Sequence, residues 1–380
     1  MKAVVWKGLN SVEYTDVPEP QVIPGWVKLK VMAVGLCATE AHMIAGKFDG
    51  GKPPHILGQE VCGDIIELGE GVKPSLLGQR AVVETYVGCG KCIYCRTGRK
   101  HLCSAGEIGY PPYNGGHAQY IIVPEGSVRV LPPEVSYDEG GILEAAACPF
   151  GALLTAGFKM GDTILVQGAG VAGLSFLQGA KAAGAKKILC AVRRDERAAQ
   201  AKHFGADVVI DLRKEDLYAR VLAETDGLGV DYSVDAAGAP STIEAAIRCA
   251  APGGHVVLYG IPDKAAHIEL PVTDLILRQI TLCGYTGNEF GWDPLIAMVA
   301  KGQFNIKDMI SYRFPLSRFE DALAVMEKRP ADLIKIVMHP WEGAIEDEYD
   351  IVVAEEAYRE YAEDGKKSRP VAELWKECGL

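Results

Sequence analysis

The sequence predicts an α/β protein in two parts: an irregular β domain with long loops, then a doubly wound parallel sheet. Three observations predict it. Residues 1–130 carry short β-prone runs separated by Gly and Pro. From about residue 150, apolar strand runs alternate with helical runs, the rhythm of βαβ units. A G-x-G-x-x-G sequence, Gly168 to Gly173, lies between such a strand and such a helix.

The elements follow in order. WVKLKVMAVG, GDIIELG, QRAVVETYV and AQYIIV read as strands of the first part, and Asn114-Gly115 predicts a tight turn before the last of them. TILVQ predicts a buried strand and is followed by a helix ending near Gly184. KKILCAV is the next strand, with a helix through Phe204, and ADVVID, DYSVDAA and HVVLYGI continue the alternation. These runs are apolar on both faces, as a sheet covered on both sides requires. WDPLIAMVAKG predicts a helix stopped by Gly, SRFEDALAVMEK a helix with Ser317 as N-cap, and DLIKIVM a last strand. Residues 341–380 form a tail with an acidic first half. AEEAYREYAEDG and RPVAELWKECG read there as helices, the second with Val371, Leu374 and Trp375 on an apolar face.

Composition bounds the function. The chain has 380 residues, 48% hydrophobic and 23% charged, an ordinary soluble composition for two domains. A net charge of -11 argues against nucleic acid or an anionic membrane as partner. MKAVVWKGLN lacks the apolar run of a signal peptide, and no long apolar stretch predicts a membrane span, so a cytoplasmic location is expected. Eleven cysteines with no secretion signal point to metal binding rather than to disulfides.

Four of those cysteines are clustered. Cys89, Cys92, Cys95 and Cys103 follow the spacing C-x2-C-x2-C-x7-C. Four thiolates on a short loop, with Gly88, Gly90 and Gly98 to fold it, are the donor set of a closed structural zinc site. The glycine sequence is a dinucleotide fingerprint in its required context. Gly168 allows the tight turn, Gly170 lets the backbone approach a pyrophosphate, and Gly173 lets helix and strand pack closely, with Val171 and Ala172 between them. The helix N-terminus then offers amides to the phosphates. The next strand ends in Val192, Arg193 and Arg194, without the acid that holds the ribose hydroxyls of NAD. Two guanidiniums there suit a 2′-phosphate, which predicts NADP(H) over NAD(H).

GLCATEAH at 35–42, LGQEVCG, the four-cysteine loop, GGHAQY, GAGVAG and RFPLSRFEDAL together resemble the zinc-dependent medium-chain alcohol and polyol dehydrogenases, over about residues 1–340. The resemblance implies a GroES-like catalytic domain at 1–148 with its zinc lobe at 88–104, and a Rossmann domain at 149–286. It further implies a return to the catalytic domain at 287–340, before the tail at 341–380. It implies reversible hydride transfer between an alcohol and a nicotinamide cofactor, in a homo-oligomer, dimer or tetramer. By position, Cys37 matches the first ligand of the catalytic zinc, Thr39 the hydroxyl that takes the substrate proton, and His42 the outer end of the proton relay. Glu144, 24 residues before Gly168, matches the third ligand in the form found in polyol dehydrogenases.

Gln59 departs from the pattern. The family has His as second ligand here, in a Gly-His-Glu step, and this chain reads Gly58-Gln59-Glu60. A neutral amide oxygen is a poor ligand for zinc beside imidazole. His55 is too far upstream to replace it, and Cys148, one helical turn after Glu144, is a weaker alternative. Three arrangements stay open. Zinc is held by Cys37, Glu60 and Glu144 with Gln59 as a weak ligand; the site is metal-free; or another divalent metal is preferred by the oxygen-rich set. The first predicts oxidation of a secondary alcohol in a polyol, cyclitol or sugar. Tyr86, Tyr110, Tyr113, Asn288 and Glu289 are expected at the cleft. A zinc-independent NADPH-dependent reductase of an activated double bond or quinone is the rival enzyme. A nonenzymatic NADPH-binding sensor or scaffold is the rival outside catalysis.

Overall fold

The computed structural model describes residues 1–287 and 290–341. The predicted tail helices, Asn288 and Glu289 lie outside them. The first half contains β1 (Lys2–Gly8), β2 (Ser11–Asp16), β3 (Trp26–Leu36), α1 (Ala38–Ile44), β4 (Glu60–Leu68), β5 (Arg80–Val83), α2 (Ile93–Arg96), β6 (Tyr120–Pro124), β7 (Val128–Val130) and α3 (Tyr137–Thr155). The second begins with β8 (Thr163–Gln167), α4 (Val171–Ala182), β9 (Lys187–Val192), α5 (Asp195–His203), β10 (Val208–Asp211) and α6 (Leu217–Glu224). It continues with β11 (Val230–Asp235), α7 (Pro240–Cys249), β12 (Ala250–Leu258), α8 (Val272–Leu277) and β13 (Thr281–Gly284). The chain closes with α9 (Trp292–Ala300), β14 (Ile310–Pro315), α10 (Phe319–Lys328) and β15 (Lys335–His339).

The predicted α/β class holds. β8 to β13 form one parallel sheet in the order β10-β9-β8-β11-β12-β13. The order reverses between β8 and β11, and ligands of doubly wound sheets bind at such a switch point, outside the strand ends. β8 is buried at every residue, because helices cover both faces. The other large sheet runs β14-β15-β3-β4-β5-β7, with β6 on β3. It is antiparallel except where β14 meets β15. The chain leaves this sheet through α3 and re-enters it at its end with β14 and β15. α3 starts on a full capping box: Ser136 Oγ accepts from Glu139 N, and the Glu139 carboxylate accepts from Ser136 N.

Two local expectations are corrected. Asn114-Gly115 does not make a tight hairpin turn, since neither residue has positive φ. Its neighbourhood lies against the 56–58 segment instead: Gly115 N donates to Ile56 O and Gly116 N to Gly58 O. Long-range backbone pairing has overridden the dipeptide's turn preference. Ser317 is not the N-cap of α10. A 3-10 turn, Leu316–Arg318, precedes the helix and puts Arg318 at the cap, with no side-chain cap bond.

A single core cluster runs from α3 through α4 and the parallel sheet to α9, and Phe176 is fully buried within it, its ring edge-on to Tyr259. Phe176→Ala leaves a cavity there, and we expect it to cost about 3–5 kcal/mol. Chemical denaturation monitored by fluorescence checks this; an unchanged midpoint would show that the core collapses around the loss.

Candidate functional site

The site starts at the end of β3. Cys37 follows that strand and caps α1, which places Thr39 on the helix and His42 one turn further along the same side. Glu60 begins β4, directly after Gln59, and β4 runs antiparallel to β3, so that Glu60 pairs with Gly35. Gly35 must lack a side chain, because a Cβ there would run into the Glu60 carboxylate. Gly58 is equally constrained: its φ is +111°, and a Cβ would meet the backbone of Gly116 and His117. Glu144 comes from the buried face of α3.

All six residues line one cleft of about 730 Å³, as do Val171 and Ala172 of the glycine turn and Ala236 after β11. The cleft is therefore at the switch point. Tyr86 and Tyr110 line it as expected. Tyr113 does not. Its ring packs on Trp26 at 5.7 Å and its carbonyl takes His55 Nε2 at 3.0 Å, which holds both Tyr113 and His55 away from the cleft.

Three groups that the sequence reading missed or ranked low are decisive here. Lys335, the first residue of β15, is 5% exposed and donates to Glu60 Oε1 at 2.5 Å. Glu40 is buried and accepts from Cys37 N and Gln59 N, both at 3.2 Å, while His117 Nε2 meets its carboxylate at 3.0 Å. One carboxylate thus positions the backbone of both Cys37 and Gln59. Cys148 also lines the cleft, and its thiol donates to Glu144 Oε1 at 3.3 Å.

Burial sets the protonation of these groups. It pushes the Cys37 thiol up to about 12, against the opposing effect of Lys335, and raises Glu144 to about 7, helped by the Glu60 charge. Glu60 is raised too, by burial, with Lys335 opposing. Burial also pushes Glu40 up, but His117 and the Cys37 N–H outweigh it and hold that carboxyl below its ordinary value. His42 is lowered by partial desolvation and by the charges of Arg329 and Lys47, so it is a neutral proton acceptor near pH 7.

Two buried oxygens of the cleft, Gln59 Oε1 and Glu60 Oε2, have no hydrogen-bond partner among the described residues. Buried acceptors without donors are expensive, and a cation satisfies them. Cys37, Glu60, Glu144 and Gln59 therefore fit a divalent metal by donor type. They are not drawn together as tightly as the four lobe cysteines, the only cluster of three or more His, Cys, Asp or Glu among the described residues whose ligating atoms lie within 4.8 Å of one another.

That lobe fits zinc closely. Tetrahedral Zn–S bonds imply sulfurs about 3.8 Å apart. Cys92 and Cys95 Sγ are 3.5 Å apart, and Cys89 and Cys95 Sγ 4.0 Å. Backbone N–H groups of Cys89, Cys92, Cys95 and Ala105 point at the sulfurs, at 3.3–3.5 Å. Such donors favour thiolate: the N–H groups of Lys91 and Cys92 bring Cys89 down to about 6, and those of Cys89 and Ala105 lower Cys103.

The cofactor end is equally specific. Gly168 adopts φ +100°, and a Cβ on Gly173 would run into the Gly168 carbonyl. Gly170 caps α4 with no side-chain bond, which leaves the first-turn amides free for phosphate. Arg193 and Arg194 are exposed at the end of β9, the latter at the N-cap of α5. Asp195, the nearest acid, is engaged by Arg213.

Comparison with known proteins agrees with this geometry. A model of the alcohol dehydrogenase GroES-like domain matches residues 23–133, a zinc-binding dehydrogenase model matches 172–301, and a family of unknown function matches 331–378. The chain is 33% identical to D-arabitol-phosphate dehydrogenase of Enterococcus avium, over 84% of this chain and 92% of the relative. It is 32% identical to L-threonine 3-dehydrogenase of Pyrococcus horikoshii, over 86% and 94%. A Sinorhizobium meliloti protein solved with bound NADP superposes with a TM-score of 0.82 at 30% identity, covering 89% of this chain and 99% of that one. Among the described residues no helix is long and apolar enough to cross a membrane. The chain belongs to the zinc-type medium-chain alcohol dehydrogenase family and is an oxidoreductase of that kind.

Proposed function

We propose that this dehydrogenase transfers hydride between the secondary alcohol of a polyol, cyclitol or sugar and NADP(H), as a cytoplasmic homo-oligomer. The observation that carries the reading is the cleft itself. Cys37, Thr39 and Glu144 line it beside the glycine turn, together with Tyr86, Tyr110 and Tyr259. Three tyrosines among its lining residues support a substrate with several hydroxyls.

Cys37, Glu60 and Glu144 would hold the catalytic zinc, with Gln59 Oε1 as a fourth, weaker ligand. When bound, that ion supplies a Lewis acid for the substrate oxygen. The chain's own residues do the rest. Thr39 accepts the alcohol proton at its Oγ1. His42, on the same side of α1 and exposed, passes a proton to water, and its depressed affinity keeps it ready to accept one. Glu40 fixes the two backbone positions from which Cys37 and Gln59 project.

For the cofactor, the Arg193 and Arg194 guanidiniums and the absence of a free acid at the end of β9 support NADP(H). The competing reading, a metal-independent NADPH-dependent reductase on the same fold, is favoured by one observation. Lys335 already occupies Glu60 Oε1. A metal count separates the two.

Three outcomes are expected. Protein purified without added zinc or chelator should carry about two zinc ions per chain by mass spectrometry, and about one would leave only the lobe filled. Cys37→Ala should cut turnover by at least about a thousandfold while keeping the lobe zinc and the fold, and an active variant would rule out metal-assisted chemistry here. NADPH should bind at least about tenfold more tightly than NADH, with Arg194→Ala narrowing the gap; equal affinities in the parent protein would sink the NADP assignment. Gln59→His serves as a companion to the count. It should raise zinc affinity, and unchanged activity on the best substrate would show that Gln59 is not tuned for that substrate.

A further inference from the structure

The alcohol end of the cleft has a charge that the reaction does not explain. Glu107 lines it. The backbone around Glu107 is stitched to the 85–87 segment: Ile108 N donates to Thr85 O, Val87 N donates to Gly106 O, and Glu107 bridges to Tyr86. Ile108 is fully buried on the core side, so alternation along the extended chain sends the Glu107 side chain toward the cleft. No hydrogen bond or ion pair to that carboxylate is found among the described residues, and its partial burial raises its proton affinity above the ordinary value. The buried, unpartnered oxygens of Gln59 and Glu60 lie in the same cleft.

The cleft's other charges sharpen the point. Its carboxylates are Asp49, Glu60, Glu107 and Glu144, and among the described residues its only cationic side chain is Lys335, bound to Glu60, His42 being neutral near pH 7. Among the described residues, nothing at this end is available to neutralise an anionic substituent on the substrate. A fixed, half-desolvated carboxylate instead accepts hydrogen bonds from hydroxyls and repels a phosphate or carboxylate.

Resting on the alcohol dehydrogenase reading above, we infer that Glu107 is a specificity-determining residue that binds the distal hydroxyls of a neutral alcohol and excludes phosphorylated or carboxylated ones. This sets the chain apart from relatives named for an arabitol phosphate and for threonine, both of which carry an anionic group.

The test uses matched pairs with NADP: D-arabitol and D-sorbitol against their terminal phosphate esters, and a butanediol against the corresponding hydroxybutyrate. In the parent protein the neutral member of each reactive pair should lead in kcat/KM by at least about a hundredfold. Glu107→Gln keeps the shape and should raise KM for the neutral member about tenfold, the loss falling on KM rather than kcat. Glu107→Lys should move the preference toward the phosphate ester. A parent protein that prefers the anionic member, or a Glu107→Gln variant with unchanged KM and selectivity, overturns the inference while leaving the dehydrogenase reading intact. A neutral butanediol as best substrate upholds it and removes the polyol instead. No turnover across the whole panel overturns both.

Discussion

The ammonium of Lys335 is the charge around which the site is arranged. Its burial removes it from water, a cost of several kcal/mol that only nearby anions offset. Burial alone would lower its proton affinity; Glu60 and Cys37 beside it reverse that and raise it. Lys335 and Glu60 are 275 residues apart. Their pairing requires the last described strand to return to the sheet at one position, with Lys335 at its first residue, β15 on β3, and β3 on β4. The re-entry of the chain into its first sheet and the assembly of the cleft are thus one construction. Removing either partner would strand the other as a buried charge.

A second layer depends on that one. Glu40 cannot leave its carboxylate unpaired at such depth, and it is satisfied by two backbone N–H groups and by His117. His117 is itself fully buried, its ring edge-on to Phe319 at 4.8 Å. The position of Cys37 and Gln59 is therefore held from behind by a polar pair seated against α10. This is the arrangement in which a polar network contributes rigidity, since two of Glu40's bonds fix the backbone of residues that line the cleft and the third ties it to His117.

Much of this was legible in the sequence, and the boundary has physical causes. The parallel sheet was readable because each strand is apolar on both faces and each helix between them is long enough to show its period. The four-cysteine loop and the glycine turn were readable because their chemistry lies within a few residues of chain. Cys37, Thr39, His42, Gln59, Glu60 and Glu144 needed the family resemblance, and the structure places all six at one cleft. Lys335 in DLIKIVM carries no local motif, and its partner is far away in sequence. His117 and Glu40 are likewise separated by 77 residues. A buried charge on a strand end was the available signal for Lys335; nothing local marked Glu107, whose role comes from which side of the chain faces the cleft. Asn114-Gly115 misled for the opposite reason: a strong local preference lost to pairing with the 56–58 segment.

Charge counting explains how such a site tolerates glutamine at the position where the family resemblance implies histidine. Imidazole and amide are both neutral, so the exchange leaves the formal charge around Cys37, Glu60 and Glu144 unchanged. What changes is ligand strength. The protein side of the balance is already settled without a strong fourth ligand. Glu60 is matched by Lys335, the Cys37 thiol holds its proton to about 12, and Glu144, at about 7, shares a hydrogen bond with the Cys148 thiol. Metal uptake at these groups must displace protons from the thiol and, in part, from Glu144, so affinity rises with pH. The fold does not need an ion to keep these side chains buried, whereas the four lobe sulfurs already lie within 4.8 Å of one another, with backbone N–H groups lowering Cys89 and Cys103 while burial raises Cys95. The two donor sets therefore differ in geometry: the lobe sulfurs already sit within ligand distance of one another, and the cleft donors are not drawn together so closely.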